Sequence, residues 1–221
     1  LEEDGRIENQ VKNEYRELNL SNPPRFIWAN SSSQAREIIG SEEEIDMIIC
    51  MYNEQDKEIF PFASQLKEDG RGIPFILLIH YSKAVRQRVL ESPHPGVDFV
   101  FSWHGNADLI LAIVKLLEDA ANAENDVFEV GVKGILLVED SIRYYSNYLP
   151  ELYKIVLTQS REFLTESLND DQKKYRKRSR PKIFLATCLE EAIAYFEKYR
   201  RNLLGVISDV GMVFHKGDDP K

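Results

Sequence analysis

Apolar and polar positions along this chain alternate between two patterns. Short unbroken apolar runs read as strands buried on both faces, and stretches with an apolar residue every third or fourth position read as amphipathic helices. Ile7, Val11, Tyr15 and Leu18 give a helix over residues 5–19, too short for a coiled coil and closed by Asn22-Pro23-Pro24. Residues 25–29 read as a short strand. Ser31-Ser32-Ser33 then offers N-caps to a helix carrying Ala35, Ile38 and Ile39 and stopped at Gly40. Strands follow at 45–51, 74–79 and 97–102. The helices between them carry Phe62, Ala63 and Leu66, ending near Gly70 and Gly72, and span 85–90, broken by Pro93 and Pro95. A strong helix covers 107–117, and a polar stretch to Lys133 reads as a linker.

Beyond the linker, Gly134-Ile135-Leu136-Leu137-Val138 ends abruptly in Glu139-Asp140, and Gly205-Val206-Ile207-Ser208 ends in Asp209. Strands alternating with helices make a parallel sheet, and ligands of such sheets bind at the C-terminal tips of the strands. Set side by side, these two strands would converge Glu139, Asp140 and Asp209 on one point. That donor set suits a hard cation such as Mg²⁺, with one carboxylate left to act as a nucleophile. Between the strands, Ile142, Tyr145, Leu149, Leu152 and Ile155 mark a helix that continues to Leu168, with Pro150 expected to kink or break it. A basic run follows: Lys173, Lys174, Arg176, Lys177, Arg178, Arg180 and Lys182. It reads as a solvated charged loop or, more sharply, as a docking surface for an acidic partner or a nucleic acid. Only Tyr175 is interleaved, which gives stacking on bases little support.

A repeat divides the chain. Pro24-Arg25-Phe26-Ile27-Trp28-Ala29-Asn30, followed by Gln34-Ala35, aligns with Pro181-Lys182-Ile183-Phe184-Leu185-Ala186-Thr187, followed by Glu191-Ala192. Ile48-Ile49-Cys50-Met51 aligns with Val206-Ile207-Ser208-Asp209. One βαβ unit therefore occurs twice. The expected division is 1–120 as a first copy whose first strand lies upstream of Leu1, 121–133 as linker, and 134–221 as a second copy. That second copy holds three strands and an insertion, and stops short of the rest.

The 221 residues suffice for one large or two small domains. A net charge of −9 argues against general nucleic-acid binding. Cys50 and Cys188 lack paired spacing and read as reduced core thiols of a cytoplasmic protein. No apolar run has the length of a membrane span. The histidines, His80, His94, His104 and His215, have no metal-ligand spacing. There is no Gly-rich phosphate loop, no G-x-S-x-G elbow and no basic helper beside either cysteine.

At Val138-Glu139-Asp140-Ser141 and Ser208-Asp209-Val210-Gly211 the chain resembles the receiver domain of two-component response regulators. The resemblance implies a flavodoxin-like (CheY-like) three-layer sandwich around a parallel sheet, in two copies with the second truncated. It makes Glu139 and Asp140 the acid pair, Asp209 the phosphoacceptor, and Gly211 the residue whose carbonyl joins Glu139, Asp140 and Asp209 around Mg²⁺. In the first copy Met51 stands at the phosphoacceptor position, Ile79 or His80 at the Thr/Ser position and Trp103 at the Lys position. A thioether neither attacks phosphorus nor holds Mg²⁺ well, so this copy is a pseudo-receiver.

The combination with Arg143-Tyr144-Tyr145-Ser146-Asn147-Tyr148-Leu149-Pro150 and Leu203-Leu204-Gly205-Val206-Ile207-Ser208-Asp209-Val210 looks like the N-terminal regulatory region of bacterial proteins related to phosphoenolpyruvate synthase and pyruvate phosphate dikinase. The implied function is a phosphorelay signalling module that is not itself an enzyme. The implied partners are a sensor histidine kinase or phosphotransfer protein, and a phosphoenolpyruvate-utilising module beyond Lys221. No membrane partner is implied. An open sheet edge in the second copy predicts either association through that half, as a homo-oligomer, or poor ordering of it. An interaction scaffold without phosphorylation and a metal-dependent hydrolase using the same carboxylates are the rival classes.

Overall fold

A computed structural model describes residues 5–41, 44–80, 82, 96–165 and 180–215 of the chain. Its helices are α1 (Arg6–Glu17), α2 (Ser32–Gly40), α3 (Ile59–Glu68), α4 (Ala107–Glu124), α5 (Ile142–Thr165) and α6 (Leu189–Tyr199). Its strands are β1 (Ile48–Met51), β2 (Phe75–Ile79), β3 (Phe99–Ser102), β4 (Gly134–Val138), β5 (Lys182–Ala186) and β6 (Leu203–Ser208). The architecture is α/β, with two three-stranded parallel sheets. Among the described residues, one unit falls within 24–105 and the other within 5–23 and 106–215.

In the first unit β2 is central, in the order β1-β2-β3. All five of its side chains, Phe75 to Ile79, are fully buried, which is why the run carries no polar residue. Helix α3 buries Ile59, Phe62, Ala63 and Leu66, and the Phe62 ring meets Phe75 edge-on with centroids 5.9 Å apart. The approach to β3 passes so close to α3 that a Cβ on Gly96 would lie 2.1 Å from the Ala63 carbonyl carbon. Asp98 accepts hydrogen bonds from the Phe75 amide at 2.7 Å and Lys67 Nζ at 2.8 Å, pinning the start of β2 to α3.

Residues 25–29, expected as a strand, join no ladder; Phe26 stacks on Trp28 and both Ile27 and Trp28 are exposed. An apolar run signals strand tendency, but a strand also needs a hydrogen-bonding neighbour, and Pro23-Pro24 supplies no amide at its entry. The helix expected over 85–90 lies outside the described residues, as does the basic run up to Arg178.

The second sheet has the order β5-β4-β6. Leu136, Val138, Phe184, Ala186, Ala192 and Tyr199 form its core under α6. The Phe184 and Tyr199 rings lie parallel with centroids 4.6 Å apart. Gly134 is required at the start of β4, since a Cβ there would come within 2.5 Å of the Phe184 ring. Helix α4 buries residues around most of its circumference and packs against α1, α5 and β5.

Both α1 and α4 thus belong to the second unit, whereas the sequence reading grouped them with the first copy over 1–120. The stretch 121–133, read as a linker, is helical through a π-turn at Asn125–Glu129 and buries Ala123, Val127 and Val132. Helix α5 continues through Pro150 without a break, one of the two outcomes, kink or break, expected there. Its buried face, Tyr145, Leu149, Tyr153, Val156 and Leu157, extends on both sides of the proline, and that packing outweighs one missing backbone hydrogen bond. No helix among the described residues is long and apolar enough to cross a membrane.

Candidate metal centre

Strands β4 and β6 are parallel neighbours in a register that pairs Val138 with Ser208. The residues that follow, Glu139 and Asp209, therefore emerge side by side at the C-terminal edge of the sheet. The Asp209 amide donates to the Val138 carbonyl at 3.1 Å, and the Glu139 amide to the Ala186 carbonyl at 3.0 Å, so both tips are tied to the ladder. Carboxylate oxygens of Glu139, Asp140 and Asp209 all lie within 4.8 Å of one another. Among the described residues this is the one group of three or more metal-ligating side chains.

Each acid is held by a different backbone amide. Glu139 is buried, and its Oε1 accepts from the Ser141 amide at 3.0 Å; the Ser141 carbonyl in turn accepts from Tyr144 and Tyr145 in the first turn of α5. Asp140 Oδ2 accepts from the Val213 amide at 2.9 Å, drawing the segment after β6 toward the tip of β4. Asp209 is exposed, and its Oδ1 accepts from the Val210 amide at 2.6 Å. Burial, followed by the charges of Asp209 and Asp140, raises the pKa of the Glu139 carboxyl above the usual carboxylate value.

Three oxygen donors with unshared lone pairs are the ligand chemistry of hard divalent cations. Octahedral Mg²⁺ with bonds of roughly 2.1 Å holds neighbouring ligands about 3.0 Å and opposite ones about 4.2 Å apart, so the three carboxylates would draw closer together to share one ion. Gly211, exposed and two residues past Asp209, follows in the same segment.

At the corresponding edge of the first unit stand Met51, Ile79 and Trp103, with His80 exposed, and none of them is an acid. Cys50 is half-buried, and its thiol is pushed up to about 11, mainly by burial. Cys188 is buried at the start of α6. His215 lies 2.9 Å from Glu190, His104 is exposed, and His94 is outside the described residues.

One constellation escaped the sequence reading. Asp119, fully buried in α4, accepts from Arg180 at 2.6 and 3.0 Å, from the Tyr153 hydroxyl at 2.9 Å and from the Ile183 amide at 3.0 Å. Lys182 Nζ stands 3.4 Å from the same carboxylate and 2.6 Å from Asp126. Its signal was the placement of Asp119 three residues after Leu116 and four before Ala123, on the apolar stripe of a helix. Arg180 and Lys182, read as the end of a solvated basic run, are the partners of that acid.

Compared with known proteins, the chain matches no family model, no curated protein and no solved structure.

Proposed function

We propose that the second unit is a receiver-type phosphoacceptor module in which Asp209 takes up a phosphoryl group at a Mg²⁺ site formed with Glu139, Asp140 and the Gly211 carbonyl. The observation that carries this reading is the convergence of three carboxylates at the adjoining tips of β4 and β6. The order β5-β4-β6 supports it, because the first three strands of a flavodoxin-like sheet adopt the order 2-1-3. The order β1-β2-β3 in the first unit is likewise that of strands three to five of such a sheet, in keeping with a degenerate first copy.

Asp209 is the acid suited to attack. It is exposed, its Oδ1 is held by the Val210 amide, and its Oδ2 has no partner among the described residues. In the step, Asp209 Oδ2 would form a bond to phosphorus as the bond from phosphorus to the donor's leaving atom breaks, a ring nitrogen in a phosphohistidine or an oxygen in an acyl phosphate, giving an aspartyl phosphate and the free imidazole or carboxylate. A bound Mg²⁺ supplies neutralisation of the charge on the phosphoryl oxygens. Glu139 and Asp140 would hold the ion, Glu139 through water, and would not themselves react. The donor class is a sensor histidine kinase or phosphotransfer protein, and the output is control of an attached or partner phosphoenolpyruvate-utilising phosphotransferase.

A second reading, an interaction scaffold that is never phosphorylated, draws on the exposed Leu204, Val206 and Ile207 of the edge strand β6. Beryllofluoride, which mimics a phosphoryl group on a carboxylate, separates the two. With Mg²⁺ it is expected to shift the amide resonances of 138–141 and 208–211 saturably and to leave 48–52 and 99–103 unmoved. No response in either set fails the phosphoacceptor reading and leaves the scaffold.

A further inference from the structure

A cavity of about 460 Å³ opens on the second unit between the end of α1, α4, α5 and the start of β5. It lies away from the candidate metal centre. Lys182 is the first residue of β5, whereas the acid cluster follows the last residues of the parallel strands β4 and β6, so the two occupy opposite edges of one sheet. Its size falls in the range of small-molecule sites.

Its charge is unlike that of the chain around it. In a protein of net charge −9, this cavity is lined by four cations, Lys115, Arg161, Arg180 and Lys182, against two anions, Glu118 and Asp126. The cations are fixed in place. Lys115 is buried, bonds Glu118 at 2.7 Å and stands 4.7 Å from the centre of the Tyr15 ring. Arg180 and Lys182 are anchored on Asp119 behind the wall, at 2.6 and 3.4 Å. Arg161 donates to the Glu17 carbonyl at 2.8 Å and pairs with no carboxylate among the described residues.

Burial holds the Lys115 ammonium below its ordinary pKa against the opposing pull of Glu118. Beside it, the Tyr15 hydroxyl is buried without a hydrogen-bond partner among the described residues, within electrostatic reach of Glu118 and Arg180.

We propose that this cavity binds a small multiply charged anion bearing phosphate, with Arg161 and Lys115 as the recognising cations and the Asp119-anchored Arg180 and Lys182 as a preorganised wall. Guanidinium groups bind phosphate through paired hydrogen bonds, and fixing them in advance lowers the entropy lost on binding. The site is independent of phosphorylation at Asp209.

The test is calorimetric titration of the whole chain with inorganic pyrophosphate in EDTA, so that no cation at the acid cluster can bridge to the ligand. Arg161→Gln removes the cation without a carboxylate partner, leaving the buried Asp119 pairs untouched. Ser160→Tyr keeps every charge but fills the cavity from α5. Wild type is expected to bind saturably, Arg161→Gln about tenfold more weakly, as for one lost charge-assisted contact, and Ser160→Tyr not measurably. Lys198→Gln, on the surface ion pair with Glu124, serves as the control and is expected to bind as wild type does. Failure of the wild type to saturate below about 10 mM, the scale of the weakest specific binding, overturns the proposal. Unchanged affinity in either cavity variant overturns it equally.

Discussion

Glu139 is the acid of the cluster most removed from water, and its raised pKa carries a definite sign. Because the folded-state pKa lies above the unfolded one, its contribution to stability is fully present below the ordinary value of 4.5 and is lost as pH rises through the folded value. At neutral pH the ionised, metal-free cluster therefore weakens the fold. Glu139→Gln in EDTA is expected to melt a few degrees above wild type at pH 7, with the difference vanishing near pH 4. Thermal melts at the two pH values check this, and addition of Mg²⁺ is expected to raise the wild type more than the variant.

Asp119 plays a structural part instead, since its neighbours are cations whose burial depends on it. Burial opposes the charge on Arg180, but Asp119, joined by Tyr153 and Glu118, raises the pKa of the guanidinium above its ordinary value. Asp119→Ala is expected to cost about 3–5 kcal/mol in denaturant unfolding, as for any broken buried ion pair. Replacing both Asp119 and Arg180 by apolar residues is expected to cost less than Asp119→Ala alone. At this scale the acid cluster was legible, because acids at the end of an apolar run can only sit at a strand tip. The Asp119 network was not, because its partner Arg180 lies 61 residues away and its charge blended into a polar helix end.

Among the elements, β2 and β4 were readable to within a residue because strands buried on both faces admit almost no polar side chain. Residues 25–29 carried the same kind of signal without the outcome, since ladder pairing depends on a neighbour the local sequence does not specify. Of the kink or break expected at Pro150, the break does not occur, because a local reading weighs one backbone bond and not the buried face on either side of it. A similar local feature carries a prediction in the first unit. Gly96→Ala would drive a methyl group into the Ala63 backbone of α3, where no flexible side chain can yield. It is expected to destabilise that unit by at least about 2 kcal/mol, within the range for overpacking and backbone displacement. Denaturant unfolding followed by Trp28 and Trp103 fluorescence, both in the first unit, is the measurement.

At the scale of the whole molecule, the sequence carried the α/β class and the presence of two sheets, but not the ownership of the helices. Helix α4 is apolar around most of its circumference, so its pattern demanded burial without saying against which sheet, and α1 is committed to the second unit by its packing on α4. The chemistry divides between the units as the strand tips do, with three converging acids in one and Met51, Ile79 and Trp103 in the other. The central claim is that this division makes Asp209 the phosphoacceptor. Its most direct test is intact-mass analysis of the protein after incubation with Mg²⁺ and acetyl phosphate, in which the phosphoryl group passes to Asp209 and acetate leaves. Wild type is expected to gain a single phosphoryl group, labile to acid and base, and Asp209→Asn none. A wild type that stays unmodified, or an Asp209→Asn variant that labels equally well, would contradict the account.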